Sequence, residues 1–410
     1  MEVDYIALAV PGFFVLIGIE VWVSRRRGHA YYRLNDSIND LATGILQQLA
    51  MLLFAAAIVA GYLALYGRYR LASLPADSPV VWIACFVGVD FFYYWFHRLS
   101  HEINFLWAAH VVHHQSEEYN LTVALRQSTL QPFFSLFFYW PLALLGFPPV
   151  VFLACSSFNT LYQFWIHTRE VSTLGPLERV LMTPSHHRVH HGRNPIYIDR
   201  NHGGTFVVWD KLFGTFEPES EEVVYGVTKP LASWNPVWAN LDYFVDLAQA
   251  ARTTRRWRDK LLVFLERPGW MPEDLGGFQS PPPVAAGVVK YDPAVGSRVA
   301  AYATLQFLQV LALSLAFSAL QPGLALAAQL FVGIGVVWGL ANVGGLFDGA
   351  RWATASEWAR VLVTPVAVLF LVPAPLGPIV GVALLANPVF ALLAGLSSHS
   401  DAPRTKAAGA

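Results

Sequence analysis

Apolar residues run along this chain in long unbroken blocks, separated by short polar segments rich in turn-forming residues. The first block, residues 5–24, has the length of a bilayer-crossing helix, about 20 residues. Arg25, Arg26 and Arg27 follow it. A cleaved leader carries its positive charge ahead of a shorter apolar core, so this block reads as a retained anchor, and the positive-inside rule places its arginine end in the cytoplasm. Further spans are expected at 41–65 and 80–96, joined by a turn near Pro75 to Ser78, although Arg68 and Arg70 close to that turn run against the rule. An apolar hairpin follows at 132–145 and 148–166, broken at Gly146-Phe147-Pro148-Pro149. Its arms are short for a full crossing, which predicts a re-entrant or tilted pair that returns His167 to the side of His97. Residues 167–297 are soluble in character and include the linker Pro281-Pro282-Pro283. Four more apolar runs are expected at 300–320, 324–343, 358–372 and 379–396.

Composition agrees with this pattern. Of 410 residues 55% are hydrophobic and only 13% charged, and mean hydropathy is +0.43; a water-exposed surface of this size needs far more charge. The expected fold is an all-α integral, multi-pass membrane protein. Its expected parts are N-terminal anchor helices over 1–78, a catalytic domain with a cytosolic histidine-rich cap over 79–297, and a C-terminal membrane bundle over 298–410. A net charge of -1 with no basic stripe excludes a nucleic-acid partner. Cys85 and Cys155 both lie in apolar runs, where a free thiol acts as a small hydrophobe, so neither a disulfide framework nor a cysteine-based zinc site is expected.

Histidine is the unusual residue: of 13 in the chain, 11 lie between His97 and His202. His97-Arg-Leu-Ser-His101 is an HxxxH pair whose members share a helix face. His110-Val-Val-His113-His114 is an HxxHH box, and His187-Arg-Val-His190-His191 repeats it. A catalytic metal takes three or four protein ligands and keeps a position open, so these imidazoles suit two metals better than one. Imidazole accepts iron, zinc, copper and nickel alike, and ligand type leaves the metal undecided. His167 is an additional candidate ligand, His186 a neighbour of the ligands, and His202 a structural or near-site residue; His29 and His399 read as ordinary.

The metalloprotease motif HExxH fails, because Ile103, Asn104 and Phe105 follow His101-Glu102, and ferritin-type Glu-x-x-His pairs are absent. Glu102 is a candidate for orienting a ligand or binding a reductant. Asp90, inside the third expected span two turns before His97, is a candidate partner for an imidazole.

These boxes, in this order around a membrane hairpin, resemble the fatty acid hydroxylase and sterol desaturase superfamily over residues 80–218, as does Asn201-His-Gly-Gly-Thr-Phe-Val-Val-Trp-Asp-Lys-Leu-Phe-Gly-Thr-Phe216. Glu102, the stretch Tyr119-Asn to Arg126-Gln-Ser128 and the extra spans after the cap are similar to its ether-lipid-cleaving alkylglycerol monooxygenase branch. The resemblance implies two iron ions held by His97, His101, His110, His113, His114, His187, His190 and His191, and insertion of one atom of O2 into an aliphatic C–H bond of a lipid. It further implies an essential acidic role for Glu102 and tetrahydrobiopterin as external electron donor; no nucleotide or haem motif is visible to supply electrons from within the chain. The nearest alternative is a sterol desaturase or fatty acid hydroxylase served by a cytochrome or ferredoxin-type donor. A metal transporter would line a pathway at the bilayer midplane, whereas these boxes sit at span ends; a lipid-binding protein with a structural metal is a third reading.

Overall fold

The computed structural model describes residues 5–284, 288–371 and 384–396. Among them the only strand-like pairings are two isolated bridges, Leu181 with Phe206 and Gly192 with Tyr225, and the fold is all-helical, as expected. Helices α1 (Tyr5–Arg27), α2 (Leu34–Tyr69) and α3 (Pro79–Glu102) are followed by α4 (Asn104–His114), α5 (Gln131–Leu145) and α6 (Pro149–Trp165). The cap carries α7 (Pro184–His190), α8 (Val208–Phe213), α9 (Pro236–Thr253) and α10 (Trp257–Leu265). The last helices are α11 (Ser297–Leu320), α12 (Leu326–Phe347), α13 (Arg351–Leu371) and α14 (Asn387–Leu393).

Among the described residues four stretches are long and apolar enough to cross a membrane: Leu8–Arg27, Pro79–Glu102, Ser297–Gly323 and Leu326–Phe347, with a fifth if the bent α2 counts as one span. The protein is an integral, multi-pass membrane protein. The third span does not stop at Phe96. Its helix continues to Glu102, so the first histidine box is the last turn and a half of a spanning helix. The run expected at 358–372 falls in the latter part of α13. The run expected at 379–396 falls partly on residues 372–383, outside the described residues, and its described part holds only the short α14; His399 also lies outside them.

The hairpin forms as α5 and α6. Pro132 sits in the first turn of α5, where a missing N–H costs nothing. The helix ends on Gly146 at φ 96°, a left-handed conformation glycine adopts freely, and a Cβ there would lie 2.0 Å from the carbonyl oxygen of Ala72. Pro148 and Pro149 then start α6. Cys85 and Cys155 are both free and buried in one apolar cluster with Tyr62, Val89, Leu142 and Phe152. Packing of this kind, rather than water exclusion, holds helices together in lipid.

Contacts divide the chain into two compact units. The first takes in the described residues of Met1–Gln47, Phe54–Leu231 and Asn240–Val289, and holds all the histidine boxes. The second takes in those of Gln48–Leu53, Ala232–Ala239 and Lys290–Ala410. Inside the second runs a buried polar seam. Glu357 accepts hydrogen bonds from Tyr302 (2.7 Å), Asn342 (2.9 Å) and Arg360 (2.7 and 2.8 Å), and Arg360 also donates to Gln306 (2.6 Å).

Candidate metal centre

Nine buried histidines gather in two groups. His97, His101, His110, His114 and His190 form one, and His113, His167, His187 and His191 the other, with the candidate ligand atoms of each group all within 4.8 Å of one another. All eight box histidines and His167 are therefore brought together. The two HxxHH boxes are each divided between the groups, in opposite senses. In α4 the i and i+4 residues His110 and His114 turn to the first group and His113 to the second. In the third box the i and i+4 residues His187 and His191 turn to the second group and His190 to the first. A helix advances 100° per residue, so the i+3 member of each box is offset enough to reach the neighbouring group. The rings of His114 and His191 stack at 4.3 Å across the divide.

Five of the ring nitrogens facing away from the groups are held by oxygen acceptors. Nδ1–H of His97 donates to the carbonyl of His202 (2.8 Å), that of His110 to Gln131 Oε1 (2.8 Å) and that of His113 to the carbonyl of Arg126 (2.8 Å). His167 donates to the carbonyl of Gln163 (2.7 Å) and His190 to that of Arg200 (2.9 Å). An oxygen acceptor at Nδ1 fixes the tautomer and leaves Nε2 as a bare lone pair. Two such lone pairs face each other at 3.2 Å between His113 and His167, and two more at 3.1 Å between His97 and His110. Neither pair has a proton to share, while Nε2 of His101, His190 and His191 is buried with no hydrogen-bond partner. Converging unprotonated acceptors in a low-dielectric interior repel unless a cation lies among them, so the donor set fits metal ions. Burial keeps these rings neutral: it pushes His110 and His167 down to about 4, and His113, His114, His187, His190 and His191 well below their ordinary value.

Both ends of the α5–α6 hairpin touch the centre, Gln131 at its start and Gln163 with His167 at its finish. The loop after the third box supplies the other braces. Asp199 and Asn201 both adopt left-handed conformations, φ 57° and 56°, which short polar side chains tolerate. The turn they make presents the Arg200 carbonyl to His190 and the His202 carbonyl to His97. Asp210 secures it by accepting from the backbone N–H of His202 (2.7 Å) and Gly203 (2.8 Å). A Cβ on Gly204 would come within 2.9 Å of Asp90 Oδ1, so the Gly-Gly pair lets the loop lie against that carboxylate.

Asp90 does not partner an imidazole, contrary to expectation. Its oxygens accept from the N–H of Thr205 (2.6 Å) and Phe206 (3.1 Å), from Asn159 (2.6 Å) and from the Trp209 indole (2.8 Å). It faces the 203–209 loop and Asn159 rather than the rings, and acts on the centre through that loop and through Asn159, which accepts from Gln163 (2.7 Å). Glu102 sits at the rim, bonded to Arg98 (3.1 Å) and 3.7 Å from Arg267, and Asp199 lies 3.8 Å from His101 Nδ1. His186 is buried edge-on against Phe216 (5.4 Å) outside both groups, and only its carbonyl joins the brace, accepting from Asn201 (3.0 Å). His202 is fully buried, its ring centroid 5.1 Å from that of His101, with neither nitrogen in a hydrogen bond of normal geometry.

Residues that sequence reasoning gave no role also shape the centre. Arg126, 2% exposed, offers its carbonyl to His113. Its guanidinium binds the Val112 carbonyl (2.6 Å), Gln115 (2.9 Å), Asp40 (3.2 Å) and Asn39. Tyr119 stacks on His167 at 5.7 Å and donates to the Ile166 carbonyl (3.0 Å). The signal for both was their place in the Tyr119–Ser128 stretch that carries the family resemblance, which assigned neither a contact with the centre.

Spanning helices that end in two adjoining clusters of buried imidazole define a class: membrane-bound proteins with a histidine-ligated metal centre. Residues 82–215 match the family model for fatty acid hydroxylase. The chain is 42% identical over 363 residues to the alkylglycerol monooxygenase of Xenopus tropicalis, covering 88% of this chain and 81% of the relative. It is 40% identical over 362 residues to that of Homo sapiens, with the same coverage, and 44% identical over 313 residues to that of Danio rerio, covering 75% and 69%. The chain belongs to the alkylglycerol monooxygenase family and carries a fatty acid hydroxylase domain; it is an oxidoreductase of the membrane-bound lipid monooxygenase class. No solved structure is detectably similar to it.

Proposed function

We propose that this chain hydroxylates the carbon next to the ether oxygen of a glyceryl ether lipid. In balance, R–CH2–O–R′, O2, two electrons and two protons give R–CH(OH)–O–R′ and water, and the hemiacetal then collapses to an aldehyde and a glycerol derivative. The observation that carries the metal-dependent part is the facing pair of unprotonated Nε2 atoms of His113 and His167, 3.2 Å apart. The relatives named alkylglycerol monooxygenase support the choice of substrate. His97, His101, His110, His114 and His190 would hold one iron ion, and His113, His167, His187 and His191 the other. When bound, such a pair supplies O2 activation for attack on an unreactive C–H bond.

The chain's own residues hold the imidazoles in one tautomer, exclude water from them by burial, and set them at the end of the spanning α3. An alkyl chain can reach that level laterally from the bilayer. Arg98, Glu102 and Arg267 form the polar rim at which an external donor, tetrahydrobiopterin in this reading, would deliver electrons. The cytosolic side is favoured by Glu170, three residues beyond His167, which accepts from Ser24 (2.6 Å) and Arg27 (2.9 Å); the centre thus shares a side with the arginine end of α1. In functional terms, residues 1–78 serve as anchor, 79–297 as catalytic domain and 298–410 as supporting bundle.

The test is a purified preparation assayed for metal content and for aldehyde release from a glyceryl ether under O2, with tetrahydrobiopterin or a reduced cytochrome as donor. Two iron equivalents and pterin-dependent aldehyde release are expected. Turnover of a fatty acid or sterol with the cytochrome alone would overturn the ether-lipid assignment.

A further inference from the structure

Helix α10 divides its apolar residues between two faces. Val263 is buried against Ala108, Leu247 and Ala250, while Trp257, Leu261 and Leu265, spaced i, i+4 and i+8, are 81%, 66% and 63% exposed. Three large apolar side chains in one outward stripe form a patch that a water-facing helix would not carry.

Basic residues flank the stripe. Arg252, Arg255, Arg256, Arg258, Lys260 and Arg267 outnumber Asp259 and Glu266 across this segment. Lys260 is occupied, its ammonium closing the end of α9 on the carbonyls of Ala251 (2.8 Å) and Thr254 (2.6 Å). Arg255, Arg256 and Arg258 stay at the surface, Arg256 within 3.9 Å of the exposed Glu273.

The height of α10 is set by its attachment. Its C-terminal end is tied to the junction of α3 and α4: the N–H of Asn104 donates to the Glu266 carbonyl (2.9 Å) and the Asn104 side chain to the Val263 carbonyl (2.9 Å). Asn104 lies two residues beyond the end of the spanning α3, so the C-terminal end of α10 is fixed near the level where that span leaves the bilayer. An apolar stripe rimmed by arginines at that level matches a helix lying in the interface, with Trp and Leu in the acyl boundary and guanidinium groups among phosphates.

We propose that α10 docks on an anionic lipid leaflet, Trp257, Leu261 and Leu265 entering the headgroup boundary while Arg255, Arg256 and Arg258 pair with lipid phosphate and carboxylate. The assignment does not depend on which lipid the centre oxidises. Its consequence is local: the leaflet's charge acts on the segment bonded to Asn104, two residues from Glu102 and three from His101 in sequence.

The experiment places an environment-sensitive dye at Leu261→Cys of the full-length protein; Cys85 and Cys155 are buried, and the unsubstituted protein serves as labelling control. Protein is reconstituted in discs of phosphatidylcholine with or without phosphatidylserine, each carrying nitroxide quenchers at headgroup or deep acyl depth. Expected are a blue-shifted emission, quenching mainly by the headgroup nitroxide, and stronger quenching with phosphatidylserine. Combining Arg255→Glu, Arg256→Glu and Arg258→Glu should remove the phosphatidylserine increment. A dye that stays in water in both compositions overturns the proposal, as does deep quenching indifferent to lipid charge, or protection that rises only with the number of protein copies per disc. Lipid dependence in the otherwise unaltered helix decides the matter even if the triple variant fails to fold.

Discussion

The protein buries two polar centres, and they are built on opposite principles. In the C-terminal unit Glu357, Arg360, Tyr302, Asn342 and Gln306 match donor to acceptor until the network closes on itself. In the histidine centre five outward nitrogens are satisfied, while the inward Nε2 atoms of His113 and His167, and of His97 and His110, are aimed at each other as bare acceptors. Burying polar groups is unfavourable in both cases. The closed seam recovers that cost internally and orders helices; the open centre recovers it only by binding cations. The pattern of satisfaction, more than the amount of buried polarity, separates scaffold from site.

The sharpest break in this comparison is His113→Ala. Removing one of four imidazoles from its group should cut metal content by about half and lower turnover by more than the roughly 100-fold typical of losing an outer-sphere partner. Full metal content by elemental analysis would remove the basis for calling the centre open. Next in size is Glu357→Ala, which strands Arg360 in the interior. It should lower stability by about 3–5 kcal/mol while metal content is unchanged, and Glu357→Leu with Arg360→Met should regain most of the loss, as read by thermal unfolding in detergent. Metal loss in Glu357→Ala would erase the distinction between the centres.

The open centre should also be sensitive to acid once stripped by chelator. His110 and His167 are held down to about 4 in the fold, whereas an unfolded histidine titrates near 6.5. The unfolded chain therefore binds protons that the native chain refuses. The stability is present above about pH 6.5 and is lost as pH falls toward 4, at up to about 3 kcal/mol per pH unit for the pair. A melting temperature that stays flat from pH 7.5 to 5 in the metal-free protein would contradict this. The smallest effect belongs to Arg126→Lys, which loses the fork that reaches Asn39, Asp40, Gln115 and the Val112 carbonyl. With the Arg126 carbonyl less firmly presented to His113, one metal equivalent should bind about 10–100-fold more weakly by competitive chelation, the other unchanged.

Much of the centre could be read in the chain. HxxxH and HxxHH at helical spacing, placed at the ends of apolar blocks, announce imidazoles on helix faces at a membrane boundary, and the glycine and proline break at 146–149 announces the hairpin that returns His167. Asp90 was misjudged because proximity in sequence to His97 says nothing about which way a side chain faces; the 203–209 loop, more than a hundred residues later, claims it. The seam around Glu357 and Arg360 went unread for a similar reason: its members come from three helices and share no motif.

The sequence by itself determined the membrane class, the helical register of each box and a histidine supply large enough for two metals, because these follow from local periodicity and composition. Only the tertiary structure decided that each HxxHH box serves both groups, that His167 completes the second, and that carbonyls of Arg126, Gln163, Arg200 and His202 turn the lone pairs inward. Those features depend on the angle at which helices and loops meet, and that angle is set by packing between segments distant in the chain.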